Sequence, residues 1–120
     1  KQTSELKFVK DFKRQAIKCF DDCDLKKIAE KIIEENMNHV VITDRENYLK
    51  GIVTSFDVTK AIAQNKRELN DIITKKVITT TDNEPIGLAT RRMKNNNISA
   101  LPVVDESKRV TGIITSEELM

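Results

Sequence analysis

Apolar residues alternate along this chain with two different periods, and the order of those periods is the same in both halves. Ala16-Ile17-Lys18-Cys19 predicts a short strand, and Asp24 is placed to cap a helix running to about Asn36. That helix carries Leu25, Ile28, Ala29, Ile32 and Ile33 on one expected face. Val40–Thr43 and Leu49–Val53 predict two strands joined by the polar hairpin Asp44-Arg45-Glu46-Asn47. A second helix is expected from Ser55 to about Asn65, burying Val58 and Ile62. The unit reads β-α-β-β-α.

The second half repeats it. Val77–Thr80 predicts a strand, and Pro85 falls at the first turn of a helix carrying Ile86, Ala89 and Met93, a position proline tolerates. Leu101–Val104 and Arg109–Ile114 predict the hairpin. The repeat has a fixed period: Gly51-Ile52-Val53-Thr54-Ser55-Phe56-Asp57 returns 61 residues later as Gly112-Ile113-Ile114-Thr115-Ser116-Glu117-Glu118. Asp44 likewise pairs with Asp105, and Asn36 with Asn97. A duplication at this period predicts two copies of one structural unit, each with its own version of any site. The units are expected over residues 9–66 and 69–120, with 66–71 joining them. Val9-Lys10-Asp11-Phe12 corresponds to Leu69-Asn70-Asp71-Ile72. Residues 4–14 are expected to form a helix, with Leu6, Val9 and Phe12 spaced three apart. The second unit reaches Met120 barely one turn after Thr115, so its last helix is expected to be cut short, as in a C-terminal piece of a longer protein.

Composition narrows the function classes. The 120 residues carry 21 basic and 19 acidic side chains. A formal net charge of +2 gives no reason to expect nucleic acid or an anionic membrane as partner. No apolar run approaches the roughly 18–20 residues of a membrane span, and the first residues do not open a signal peptide. A cytoplasmic location is expected. Cys19 and Cys23 with one histidine fall short of the four ligands of a structural zinc site, and a chain without secretory features gives no reason for a disulfide, so reduced cysteines without a metal are expected. No nucleophile–base pair, phosphate loop or metal-ligand cluster stands out, so the chain is not expected to be an enzyme and no cofactor is expected.

Two β-α-β-β-α units in tandem, each ending in Gly-hydrophobic-hydrophobic-Thr-x-x-acid behind an apolar run closed by Asp, resemble a pair of cystathionine-β-synthase (CBS) domains, a Bateman module. The similarity covers residues 9–120, and the run from Thr54 to Lys66 resembles archaeal members attached to metabolic enzymes. The resemblance implies an α+β fold with the units packed sheet to sheet about a pseudo-two-fold axis. It implies clefts between the units that take adenosyl compounds: AMP, ADP, ATP, S-adenosylmethionine or methylthioadenosine. Its equivalent walls here are Ile17, Lys18, His39, Val40, Ile78, Thr79, Ala100 and Pro102. An attached or partner domain and a homodimer are further implications.

The motif has a physical rationale. A helix start offers unpaired N–H donors beside the threonine, and an acid three residues on offers two acceptor oxygens to a ribose diol. Thr54 with Asp57, and Thr115 with Glu118, are therefore the ligand candidates. The same spacing is also a capping box that satisfies only the helix itself. Glu118 fits that box better than Asp57 does, which ranks the Asp57 site first. His39 is a candidate for stacking on a purine. Lys60, Lys75-Lys76 and Arg91-Arg92 are lesser phosphate candidates. The competing reading is a ligand-free scaffold whose helices associate with a second copy.

Overall fold

A computed structural model of the chain describes residues 6–119. The first unit holds β1 (Lys18–Phe20), α1 (Leu25–Glu35), β2 (His39–Thr43), β3 (Leu49–Thr54) and α2 (Ser55–Ala63). A short helix α3 (Leu69–Ile72) leads into the second unit, which holds α4 (Ile86–Asn96), β4 (Ala100–Val104) and β5 (Val110–Thr115). A 3-10 turn, Ser116–Leu119, follows β5. β1 runs parallel to β2 and β2 antiparallel to β3; β4 and β5 form the matching antiparallel pair.

The helix ends follow from single side chains. The Asp24 carboxylate accepts from the Lys27 N–H at 2.8 Å and starts α1. Asn36 and Asn97 stop α1 and α4 in the left-handed conformation, at φ 52° and 54°, a region Asn tolerates. Pro85 takes the N-cap of α4, one residue before the helix proper. The hairpin tips also match: Asp44 accepts from the Glu46 and Tyr48 N–H groups, and Asp105 from those of Ser107 and Arg109, at 2.9–3.0 Å. These donors hold the Asp105 carboxyl below its ordinary range.

Three apolar cores organise the molecule. The middle one draws on both units, with Ala16, Met37 and Val41 packed with Ala100, Val104, Val110 and Ile113. The outer cores lie between each sheet and its helix, and each takes residues from the other unit's lead-in. Val9 is fully buried with Ala89, Met93, Leu101 and Ile114. Leu69, Ile72 and Ile73 pack on Ile28, Val40 and Val53.

The crossing is fixed by hydrogen bonds. Arg14 and Ile113 exchange backbone bonds at 2.9 Å, and Thr74 and Ile52 at 3.0 Å. Gly51 and Gly112 sit where these crossings touch: a Cβ on Gly51 would stand 2.7 Å from the Thr74 carbonyl oxygen, and one on Gly112 2.8 Å from that of Arg14. The glycines admit the other unit's chain, with no positive φ involved. Near the pseudo-axis Tyr48 pairs with Arg109, whose guanidinium lies 4.6 Å from the Tyr48 ring centre.

Several expectations change. Val77–Thr80 forms no strand, only a parallel bridge from Thr80 to Val103. In the first unit the Val41 N–H donates to the Ile17 carbonyl at 2.8 Å; the matching position is Pro102, which has no N–H to give. The described part of the expected N-terminal helix, from Leu6, is helical only in the 3-10 turn Val9–Asp11, and residues 4 and 5 lie outside the described residues. Val9 and Lys10 instead donate to the Glu84 and Asp82 carbonyls, and Lys7 accepts from Ile86. Ile33 and Ile62 face outward, at 80% and 67% exposure, while Ile28 and Ala61 take the buried positions.

The structure also joins Cys19 and Cys23 in a disulfide, against the expected free thiols. The Phe20 carbonyl accepts from the Cys23 N–H at 2.9 Å, and this turn brings the two Cα atoms to 6.0 Å, within disulfide reach. The same two places in the second unit are Thr80 and Glu84, also linked: the Thr80 hydroxyl donates to Glu84 at 2.8 Å. Arg92 forks onto the Glu84 carboxylate at 2.6 and 2.7 Å. With that donation first and the Thr80 and Thr81 donors adding to it against partial burial, the Glu84 carboxyl is lowered to about 2.

Candidate functional site

The strand register places the site. His39 stands opposite Thr54 across β2 and β3, and Ala100 stands opposite Thr115 across β4 and β5. A cleft of about 400 Å³ opens where the first of these pairs meets the second unit, within the usual range of small-molecule pockets, about 300–1,000 Å³. His39, Ile52 and Thr54 form one wall; Thr74, Lys76, Val77 and Ile78 cross it; Asn97, Ile98, Ser99 and Ala100 close the other side.

Thr54 and Asp57 form the reciprocal capping box. The Asp57 N–H donates to Thr54 Oγ1 at 3.1 Å, and the Thr54 N–H donates to Asp57 Oδ2 at 2.8 Å. Asp57 Oδ1 takes no hydrogen bond or ion pair among the described residues. The cap therefore uses one carboxylate oxygen and leaves the other as a free acceptor at the start of α2. Capping and ligand binding are compatible here.

His39 spans the units. Its Nε2 lies 3.2 Å from the Ser99 hydroxyl. Burial pushes its pKa below the ordinary 6.5, against the opposing pull of the Glu117 and Asp57 carboxylates. At neutral pH the ring is uncharged, with an apolar face suited to a purine.

The other sequence candidates scatter. Val40 is fully buried in the outer core of the first unit and Pro102 is buried in β4, so neither borders the cleft. The Thr79 carbonyl accepts from Arg92 at 3.0 Å, and Arg92 is committed to Glu84 rather than free for phosphate. Ile17 and Lys18 border a separate cavity of about 630 Å³ with Arg14, Lys31 and Glu35. Thr115 and Glu118 pair with each other at the start of the 3-10 turn, where the Thr115 N–H and hydroxyl both donate to Glu118 Oε1, at 2.8 and 2.7 Å. A larger cavity of about 700 Å³ lies at the far end of the first sheet, beside Phe20, Cys23 and Arg45. It contains neither motif threonine, whereas the smaller cleft is lined by Thr54, with Asp57 just off its lining. The residues missed by the sequence reading, Thr74 and Val77 chiefly, lie between α3 and α4, where no motif in the sequence points to a site.

The fold and this cleft define a paired repeat module with a small-molecule site between its halves. The CBS domain family model matches residues 9–64 and 69–120, and the chain belongs to that family. Its fold is close to that of a CBS domain pair crystallised with 5′-methylthioadenosine and S-adenosyl-L-methionine: TM-score 0.92 and 39% identity, covering 96% of this chain and 94% of that one. A CBS domain protein from Pyrobaculum aerophilum, complexed with AMP, shares the fold at TM-score 0.87 and 20% identity, covering 93% and 89%. Among curated proteins, an L-aspartate semialdehyde sulfurtransferase of Methanocaldococcus jannaschii is 39% identical over 97% of this chain and 23% of its own length. A homoserine O-acetyltransferase of Methanosalsum zhilinae is 39% identical over 82% and 20%. The chain thus spans less than a quarter of these relatives. Among the described residues no helix is long and apolar enough to cross a membrane.

Proposed function

We propose that this chain is a regulatory module that senses an adenosyl compound in the cleft between His39–Thr54 and Ile78–Ala100. The carrying observation is the composition of that cleft: an uncharged imidazole and aliphatic walls for a purine, with Thr54 on the lining and its cap partner Asp57, just off the lining, keeping one acceptor oxygen free for a ribose hydroxyl. The similar pair crystallised with 5′-methylthioadenosine and S-adenosyl-L-methionine supports this ligand class. Among the described residues Lys76 is the one cation on the lining, so ligands with few or no phosphates are favoured over ATP.

The walls come from both units, so a ligand that contacts them both favours one relative placement of the halves over others. The chain itself has no catalytic part in this reading; it acts on an attached domain, because its relatives are about four to five times longer. Thermal melts with 5′-methylthioadenosine, S-adenosylmethionine, AMP and ATP test the proposal. Ligand at 100 times its Kd stabilises by about 2.7 kcal/mol. Asp57→Ala should weaken the best ligand by about 10- to 100-fold, the worth of a charge-assisted hydrogen bond of about 1.5–3 kcal/mol. No shift with any of the four compounds overturns the reading.

A second reading, association between copies, is favoured by one observation. Ile33 on α1 and Phe56 and Ile62 on α2 stay 80%, 70% and 67% exposed, on two helices that pack side by side.

A further inference from the structure

The two lead-ins put different side chains at one structural position. Thr74 and Arg14 each exchange two backbone hydrogen bonds with the residue two before a motif threonine, Ile52 and Ile113 respectively. Thr74 has a short hydroxyl side chain and borders the open first cleft. Arg14 has a long cationic one, and it reaches the acid of the second motif, Nη1 to Glu118 Oε2 at 3.5 Å.

That contact completes the occupation of Glu118. Its Oε1 already accepts from the Thr115 N–H and hydroxyl, and its side chain is 19% exposed against 47% for Arg14. Both carboxylate oxygens and the threonine hydroxyl of the second motif are thus held by the chain itself. In the first motif Asp57 uses one oxygen and faces no arginine. A ribose diol approaching Glu118 must displace Arg14 from it, whereas Asp57 offers an acceptor oxygen that no side chain holds among the described residues.

We propose that Arg14 withholds Glu118 from a ligand in the second unit, where the cavity bordered by Arg14 and Ile17 stays open at about 630 Å³, so that the chain binds one adenosyl ligand and Arg14 sets that stoichiometry. This rests on the first cleft's reading as an adenosyl site, but the experiment separates the two. Isothermal titration with 5′-methylthioadenosine, and separately with AMP, should give one equivalent per chain for the wild type. Arg14→Thr, which installs the first unit's residue, should give two, as should Arg14→Gln, which keeps most of the side chain's bulk and removes only the charge. Arg14→Lys keeps the cation and should stay at one. In the double variant Arg14→Thr/Asp57→Ala the first site should be lost and the second kept. Two equivalents of comparable affinity in the wild type overturn the proposal, as does a count of one in both folded Arg14→Thr and Arg14→Gln chains, checked by their melting curves. If the wild type binds neither compound, the adenosyl reading of the first cleft fails. The role of Arg14 is then decided by the variants: one equivalent gained supports it, and none overturns it.

Discussion

At the scale of single residues, His39 ties the cleft to solution pH. The unfolded chain takes up its imidazole proton near 6.5, and the folded chain does so only at lower pH because the ring is partly buried. As pH falls below about 6.5 the unfolded state therefore binds the proton first, and stability drops. Above 6.5 both states are neutral and this contribution is flat. Urea unfolding followed between pH 7.5 and 5 should show stability falling with acid, and His39→Asn should remove most of that slope. An unchanged slope in the variant would show that other groups carry it. Glu84, a carboxylate lowered from 4.5 to about 2 by its donors, works in the same direction at lower pH: its contribution is held above about 4.5 and is lost as pH falls from there toward 2. Asp57 and Glu118 show why a motif alone is ambiguous. Both close their own helix start, and what separates them is Arg14, 104 residues from Glu118 in the chain.

At the scale of elements, the lead-in crossings decide where glycine is required. The sequence shows two glycines in register, and the natural inference is that each eases its own hairpin. The contacts show another cause, the backbone of the opposite lead-in. Gly51→Ala should destabilise by about 1–3 kcal/mol through overpacking against Ile73 and Thr74. A Cβ added to Gly87 on α4 would meet nothing within 4 Å. Gly87→Ala should instead stabilise by about 0.5–1 kcal/mol through helix propensity. Denaturant midpoints for the pair check this; equal effects at the two positions would refute the crossing as the cause. Helix caps, hairpin tips and the αL asparagines were legible beforehand because each is settled within four or five residues. The missing strand before α4 was legible in principle from Pro102, but only once its pairing partner was known. The Cys19–Cys23 link follows from a tight turn that periodicity does not report and that the expected compartment does not encode.

At the scale of the whole molecule, the exposed apolar residues of α1 and α2 give the association reading its test. If two copies meet there, light scattering on the eluting chain should give twice the monomer mass, and Phe56→Glu should halve it. A monomeric wild type at high micromolar concentration would rule that reading out. The duplicated α+β plan and the family resemblance are written in the amino-acid sequence, because both rest on local periodicity or on in-register comparison of the halves. Folding in three dimensions added that the lead-ins cross between units, that Val40 and Pro102 lie in cores, and that Thr74, Val77 and Ser99 line the cleft. It also set Arg14 against Glu118. Such pairings join residues tens to a hundred positions apart, and no local pattern encodes them; they arise when two half-buried sheets close a common core and each must cover its outer edge with the other's chain.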